Sequence, residues 1–140
     1  MTDSLLAKLK LLPATVKFEF AGLVEDVNQY FALYDVLILP SRIDGRPLVV
    51  MEALACGVPV IASRVGALPD LIEDGKNGYL LPPANAVAFA EKILNLAENR
   101  AVLKQLKVNA RLSAEQKLDA TLAYHEYEVA LCEAYKINQN

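Results

Sequence analysis

The chain has 140 residues, 54% of them hydrophobic and 22% charged, enough for one domain with a real core. Its formal charge of −3 argues against nucleic acid as the main partner, because a phosphate backbone calls for basic patches. No apolar run approaches the ~20 residues of a membrane span and no signal peptide opens the chain, so a soluble, cytoplasmic protein is expected.

Residues 16–20 (VKFEF) alternate apolar and polar and stop at Ala21-Gly22, as a strand ending in a loop would. Residues 28–34 read as a short helical turn. Residues 36–39 (VLIL), closed by Pro40-Ser41, read as an internal strand covered on both faces. Residues 47–55 form a helix with Pro47 in the first position, stopped by Gly57. A third strand is expected over 58–62, with Pro59 near its start where a missing N–H matters least. A helical turn over 69–72 and a fourth strand over 78–81 come next, then helices over about 86–97, 100–112 and 114–135. Cys56 and Cys132 lie far apart and form no CxxC pair; both are expected as small buried hydrophobes in a reduced protein.

Strands alternating with helices, and apolar runs without a two-residue period, predict a three-layer α/β domain with a parallel sheet. Ligands of such sheets bind outside the carboxyl ends of the strands. Gly22, residues 41–48 and residues 63–67 are therefore expected on one rim.

The stretch DGRPLVVMEALACG, residues 44–57, sets two carboxylates around a helix start on that rim. The amides of Leu48 and Val49 point out of the helix without internal partners. With the positive end of the helix dipole they make an anion site suited to phosphate. Gly45 lets the backbone approach a ligand. Glu52 leans toward the helix start, as helical side chains do, which suits a vicinal diol such as ribose. Asp44 could receive a sugar hydroxyl on the other side of the phosphate. The bland alternative is an ordinary helix start with Glu52 turned to solvent. Apolar residues on nearly every side of Glu52 favour the first reading, because a charge among them needs a partner.

The string FEFAGLVEDVNQYFALYDVLILPSRIDGRPLVVMEALACGVPVIASRVGALPDLIEDGKNGYLLPP resembles the C-terminal half of family 4 glycosyltransferases, the retaining enzymes of the GT-B fold. The resemblance is close over about residues 16–83 and loose beyond. It implies a Rossmann-like fold in which residues 1–140 are a single partial domain that binds a nucleotide-sugar, with C-terminal helices from about residue 86. It implies no cofactor and no divalent metal. Glu52 matches the glutamate that holds the donor ribose, Leu48 and Val49 the amides at the distal phosphate. Asp44 matches the first glutamate of the E-x7-E motif, facing the transferred sugar. By resemblance, then, Asp44 and Glu52 are the catalytic candidates. Gly22, Ser41, Arg42, Gly45, Arg46, Pro47, Leu48 and Val49 are the substrate-binding ones.

The chain departs from the family's pattern in several places. Asp44 is one methylene shorter than the usual glutamate, Ala67 stands for a second loop glycine, and Asp70 stands for the glutamate after it. The family's Arg/Lys pair at the diphosphate comes from elements before Val16, and its N-terminal acceptor-binding lobe also precedes them. The chain is therefore expected to be a piece of a transferase that does not turn over alone. Arg42, Arg46 and Arg64 either stand in for that pair on the rim or are solvated surface residues.

Two classes of function remain. One is the donor-binding part of a retaining hexosyltransferase acting on a glycan, lipid or small molecule, as in polysaccharide biosynthesis. In the full-length enzyme that part is cytoplasmic, with a place at the membrane periphery open to it. The other is a non-catalytic module, left by a truncated gene, that binds a nucleotide or a partner chain. Expected partners are a nucleotide-sugar, the missing lobe or a partner chain, and a second copy. Self-association follows from an open sheet edge and from Leu118, Leu122, Val129 and Cys132, which have less to cover. His125, alone in its type and far from the rim, reads as a helix residue; Tyr124, Tyr127, Tyr135 and Leu131 read as helix packing.

Overall fold

The computed structural model describes residue 13, residues 15–45, residues 47–119 and residue 121. In chain order the elements are α1 (Val27–Phe31), β1 (Leu37–Leu39), α2 (Leu48–Ala55), β2 (Val60–Ser63), α3 (Leu68–Leu71), β3 (Gly78–Leu81), α4 (Ala86–Glu98) and α5 (Arg100–Lys117). The three strands are parallel, in the order β1-β2-β3, with Leu37 opposite Val60 and Val60 opposite Gly78. The expected α/β class with a parallel sheet is what forms. Among the described residues no helix is long and apolar enough to cross a membrane.

β2 is buried at every residue, as the middle strand of a parallel sheet must be. Val60 and Ala62 join Val50, Ala53 and Leu54 of α2 and Ala110 and Ala114 of α5 in one core. Ile61 points the other way, to Phe89 and Leu96 of α4 and Leu106 of α5. Alternate residues of one strand thus serve the two faces. Burying Leu54 or Ile61 contributes about 1.5–3 kcal/mol each relative to exposure.

α2 ends as its sequence demands. Gly57 takes φ +72, its N–H donates to Leu54 O at 3.0 Å, and the Val58 N–H donates to Ala53 O at 2.8 Å. This is the Schellman pattern, with Val58 and Ala53 both in the core. α5 then fastens the loops beneath the sheet. Arg111 donates to Ala55 O at 2.6 Å, at the negative end of α2. Lys107 and Arg100 bind the Asp35 carboxylate just before β1. The Lys107 hydrogen bond, seconded by Arg100, holds that carboxyl below its ordinary range.

Four expectations need correction. Residues 16–20 form no strand, and Val16, Phe18 and Phe20 are exposed. Alternation makes a strand only where a neighbour offers hydrogen bonds, and among the described residues none flanks them. Among the described residues β1 is accordingly an edge strand, not an internal one, with Ile38 42% exposed. The helix break near residue 113 does not occur: Ser113 is buried inside α5. Cys56 is exposed, its Sγ 3.4 Å from Asn28 Oδ1. Cys132 lies outside the described residues, as do Leu122, Tyr124, His125, Tyr127, Val129, Leu131 and Tyr135.

Candidate functional site

The carboxyl ends of β1 and β2 release two loops, 40–47 and 64–67, onto one rim. They touch there. The Ala67 N–H donates to Gly45 O at 3.2 Å, and Gly66, at φ +54, lies directly against the Asp44 carbonyl. Within the first loop the Ser41 hydroxyl donates to Asp44 Oδ2 at 3.2 Å, holding the half-buried carboxylate at the rim.

Pro47 is the N-cap of α2 (φ −70, ψ 115), one residue earlier than expected, and supplies no side-chain cap. Its carbonyl takes the Val50 N–H at 3.1 Å. The Leu48 and Val49 amides have no acceptor among the described residues. No acidic residue stands in the first turn of α2, so the positive end of its dipole is not neutralised from within. Amides and dipole together favour an anion.

Glu52 is exposed, and its carboxylate makes no hydrogen bond to the described residues. It lies four residues after Leu48, itself 70% exposed, so the two share a stripe of the helix. Helical side chains lean toward the N-terminus, a direction that takes this stripe toward the turn with the open amides. The apolar surroundings expected for Glu52 do not exist. Val50, Ala53 and Leu54, its sequence neighbours, occupy the buried face, while Glu52 occupies the opposite one. The carboxylate is open to a ligand, which must displace the water that solvates it.

Arg42 is exposed at the mouth of an apolar hollow of about 490 Å³ lined by Ile38, Pro40, Phe89 and Ile93. Arg64 is exposed, and its backbone N–H donates to Leu81 O at 2.8 Å. Neither guanidinium has an ion-pair partner among the described residues. Arg46 lies outside the described residues. Gly22 follows no strand, and among the described residues no hydrogen bond ties it to the two loops. The structure thus brings together Ser41, Asp44, Gly45, Pro47, Leu48, Val49 and Glu52 at the start of α2. Ser63, at the end of β2, is buried with its hydroxyl unpartnered among the described residues. Also among those residues, no three His, Cys, Asp or Glu side chains gather as a metal site would require.

The sequence reading missed the contact of Gly66 and Ala67 with the Asp44 loop. Its one local signal was a glycine placed between the end of a strand and a helical turn.

Residues 3–99 match the protein family described as glycosyl transferases group 1. Among curated relatives, the N-acetyl-alpha-D-glucosaminyl L-malate synthase of Bacillus anthracis is 28% identical over 121 residues, 86% of this chain and 32% of that protein. The D-inositol 3-phosphate glycosyltransferase of Streptomyces bingchenggensis is 36% identical over 92 residues, 66% of this chain and 20% of that protein. The chain therefore spans a third or less of the length of these relatives. Among solved structures, Anabaena HepE in complex with UDP-glucose is similar with a TM-score of 0.82 and 26% identity, covering 93% of this chain and 36% of that one. The same protein in complex with UDP is similar with a TM-score of 0.78 and 28% identity, over 82% of this chain and 32% of that one.

Proposed function

Because the chain belongs to the glycosyl transferases group 1 family, we propose that it is the donor-binding part of a retaining, family 4-like hexosyltransferase. The observation that carries the reading is the convergence at the start of α2 of two open amides, an exposed Glu52 and a held Asp44. The Leu48 and Val49 amides take the distal phosphate of a nucleotide-sugar. Glu52 accepts the ribose diol, and Asp44 accepts a hydroxyl of the transferred sugar. Negative charge on the diphosphate is met by backbone amides, the helix dipole and rim arginines such as Arg42, Arg46 and Arg64, without a metal ion or cofactor.

Transfer needs donor and acceptor held in register, and this rim holds the donor alone. The isolated chain binds without transferring, and the remaining lobe, as part of the same protein or as a partner chain, supplies the acceptor. The edge of β1, unpaired among the described residues, also offers a second copy a place to pair, which supports self-association. The reading keeps the cytoplasmic setting, with the whole enzyme at the membrane periphery, and polysaccharide biosynthesis as its use.

A non-catalytic nucleotide-binding module is the second reading. It draws support from Asp44, a shorter acid than the motif's glutamate, with one carboxylate oxygen already engaged by Ser41. A panel of nucleotide-sugars scored by ligand-observed NMR tests the shared premise. UDP-linked sugars are expected to show transfer signals that UDP competes away, and a panel with no binder at millimolar concentration would overturn both readings.

A further inference from the structure

We propose that Gly66 is a positioning residue for the sugar end of the donor, acting through the backbone of Asp44. The inference rests on the donor-binding reading of the rim and adds to it a part played by the β2–α3 loop.

Gly66 has φ +54, a conformation L side chains rarely adopt. A Cβ built on it would run into the Asp44 carbonyl oxygen and stand 2.8 Å from the carbonyl carbon. Both atoms are backbone, so neither can rotate aside as a long side chain does. The adjacent Ala67 N–H holds the next carbonyl, that of Gly45. Two consecutive peptides of the first loop therefore rest on two consecutive residues of the second. On the other side of Asp44, Ser41 holds the carboxylate. Asp44 is thus fixed by its backbone from one loop and by its side chain from its own.

The chain gives this contact leverage. Asp44 lies three residues before Pro47, where the chain turns into α2, and a built Cβ on Gly45 meets nothing within 4 Å, so the loop has room to shift. A methyl at residue 66 displaces the Asp44 peptide while the Leu48 and Val49 amides, fixed by α2, stay in place. The sugar contact moves relative to the phosphate contact. Affinity for a nucleotide-sugar falls, and affinity for the bare nucleotide does not.

Gly75 supplies the control. It too has positive φ, +76, but a Cβ there meets nothing within 4 Å. Gly75→Ala carries the conformational cost of Gly66→Ala without the collision. Ala67→Pro is a second variant that perturbs the same contact between the loops by another route: its ring carbon replaces the amide hydrogen and presses on the Gly45 carbonyl. At φ −85 the position is near the value proline fixes, and the change removes the N–H that holds Gly45.

The experiment titrates UDP and UDP-glucose, by calorimetry, into the full chain and the three variants, with thermal melts alongside. Gly66→Ala is expected to weaken UDP-glucose about tenfold or more while leaving UDP within twofold, Ala67→Pro to do the same, and Gly75→Ala to change neither. If Gly66→Ala does not fold, Ala67→Pro carries the comparison. A folded Gly66→Ala that binds both ligands like the parent overturns the proposal, and so does an equal loss for both, which would make Gly66 a general support of the rim. Failure of the parent to bind either ligand is a different result, refuting the donor-binding reading itself.

Discussion

Replacing Glu52 by glutamine keeps the shape of the side chain and removes its charge. A hydrogen bond to a charged group contributes roughly 1.5–3 kcal/mol, and every 1.4 kcal/mol is about tenfold in affinity. Glu52 is exposed on an open rim, so water competes for the ribose hydroxyls and the lower end applies. UDP is expected to bind Glu52→Gln about tenfold more weakly. An opposing effect acts on the phosphates: the parent carboxylate repels them, and the variant does not. A 2′,3′-dideoxy analogue of UDP separates the two, because it keeps the phosphates and lacks the diol. It should bind the parent more weakly than UDP does, and should bind the variant as well as or better than the parent. Calorimetry at pH 7 and fixed salt measures all four affinities. Stability should hardly move, since an exposed side chain without a hydrogen bond is worth about 0.5 kcal/mol or less. A variant that binds UDP like the parent, or loses as much affinity for the dideoxy analogue as for UDP, refutes the assignment of Glu52 to the ribose. A large fall in melting temperature would make it a structural residue instead.

Asp44→Asn should weaken UDP-glucose and spare UDP in the same titrations, and parity between the two ligands would separate Asp44 from the sugar. Leu54→Ala, in the core between β2 and α5, should cost about 2–5 kcal/mol in urea unfolding, because a buried side chain is lost where packed helices cannot close the gap. Glu73, bound by Lys117 at 2.6 Å and Lys76 at 2.8 Å, is held down from 4.5 to about 2, by the Lys117 hydrogen bond first. A carboxyl whose pKa falls on folding stabilises above its unfolded value, and that stability is lost as pH drops from 4.5 toward 2. Glu73→Gln should therefore flatten the acid limb of the stability curve by less than about 1 kcal/mol, since these side chains remain well exposed.

What the sequence made legible was local. The end of α2 was readable because only a glycine takes the φ +72 of residue 57 without strain, and β3 was readable between Asn77 and Pro82. The helix start with its two open amides followed from the proline before it. What stayed hidden depends on neighbours that are remote in sequence. Residues 16–20 have the pattern of a strand, but a pattern does not supply the partner that makes one. Glu52 has apolar neighbours in the string, and a helix turn of 3.6 residues sends them to the opposite face. Ser113 breaks an apolar pattern without breaking α5, because one hydroxyl is tolerated within a long helix. The meeting of Gly66 with Asp44 joins two loops separated by a helix and a strand, and no local rule predicts it.

The packing of α2 beneath α5 also bears on how the chain is made. Val50 and Leu54 are closed off by Ala110 and Ala114, which leave the ribosome roughly sixty residues later, a wait on the order of 3–12 s at about 5–20 residues per second. The parallel pairing gives no relief meanwhile, since each strand must wait for a crossover before it meets its neighbour. During synthesis α2 thus emerges early with its apolar face bare, a surface a chaperone would recognise. Chains stalled or released before Ala114 should be the ones that aggregate.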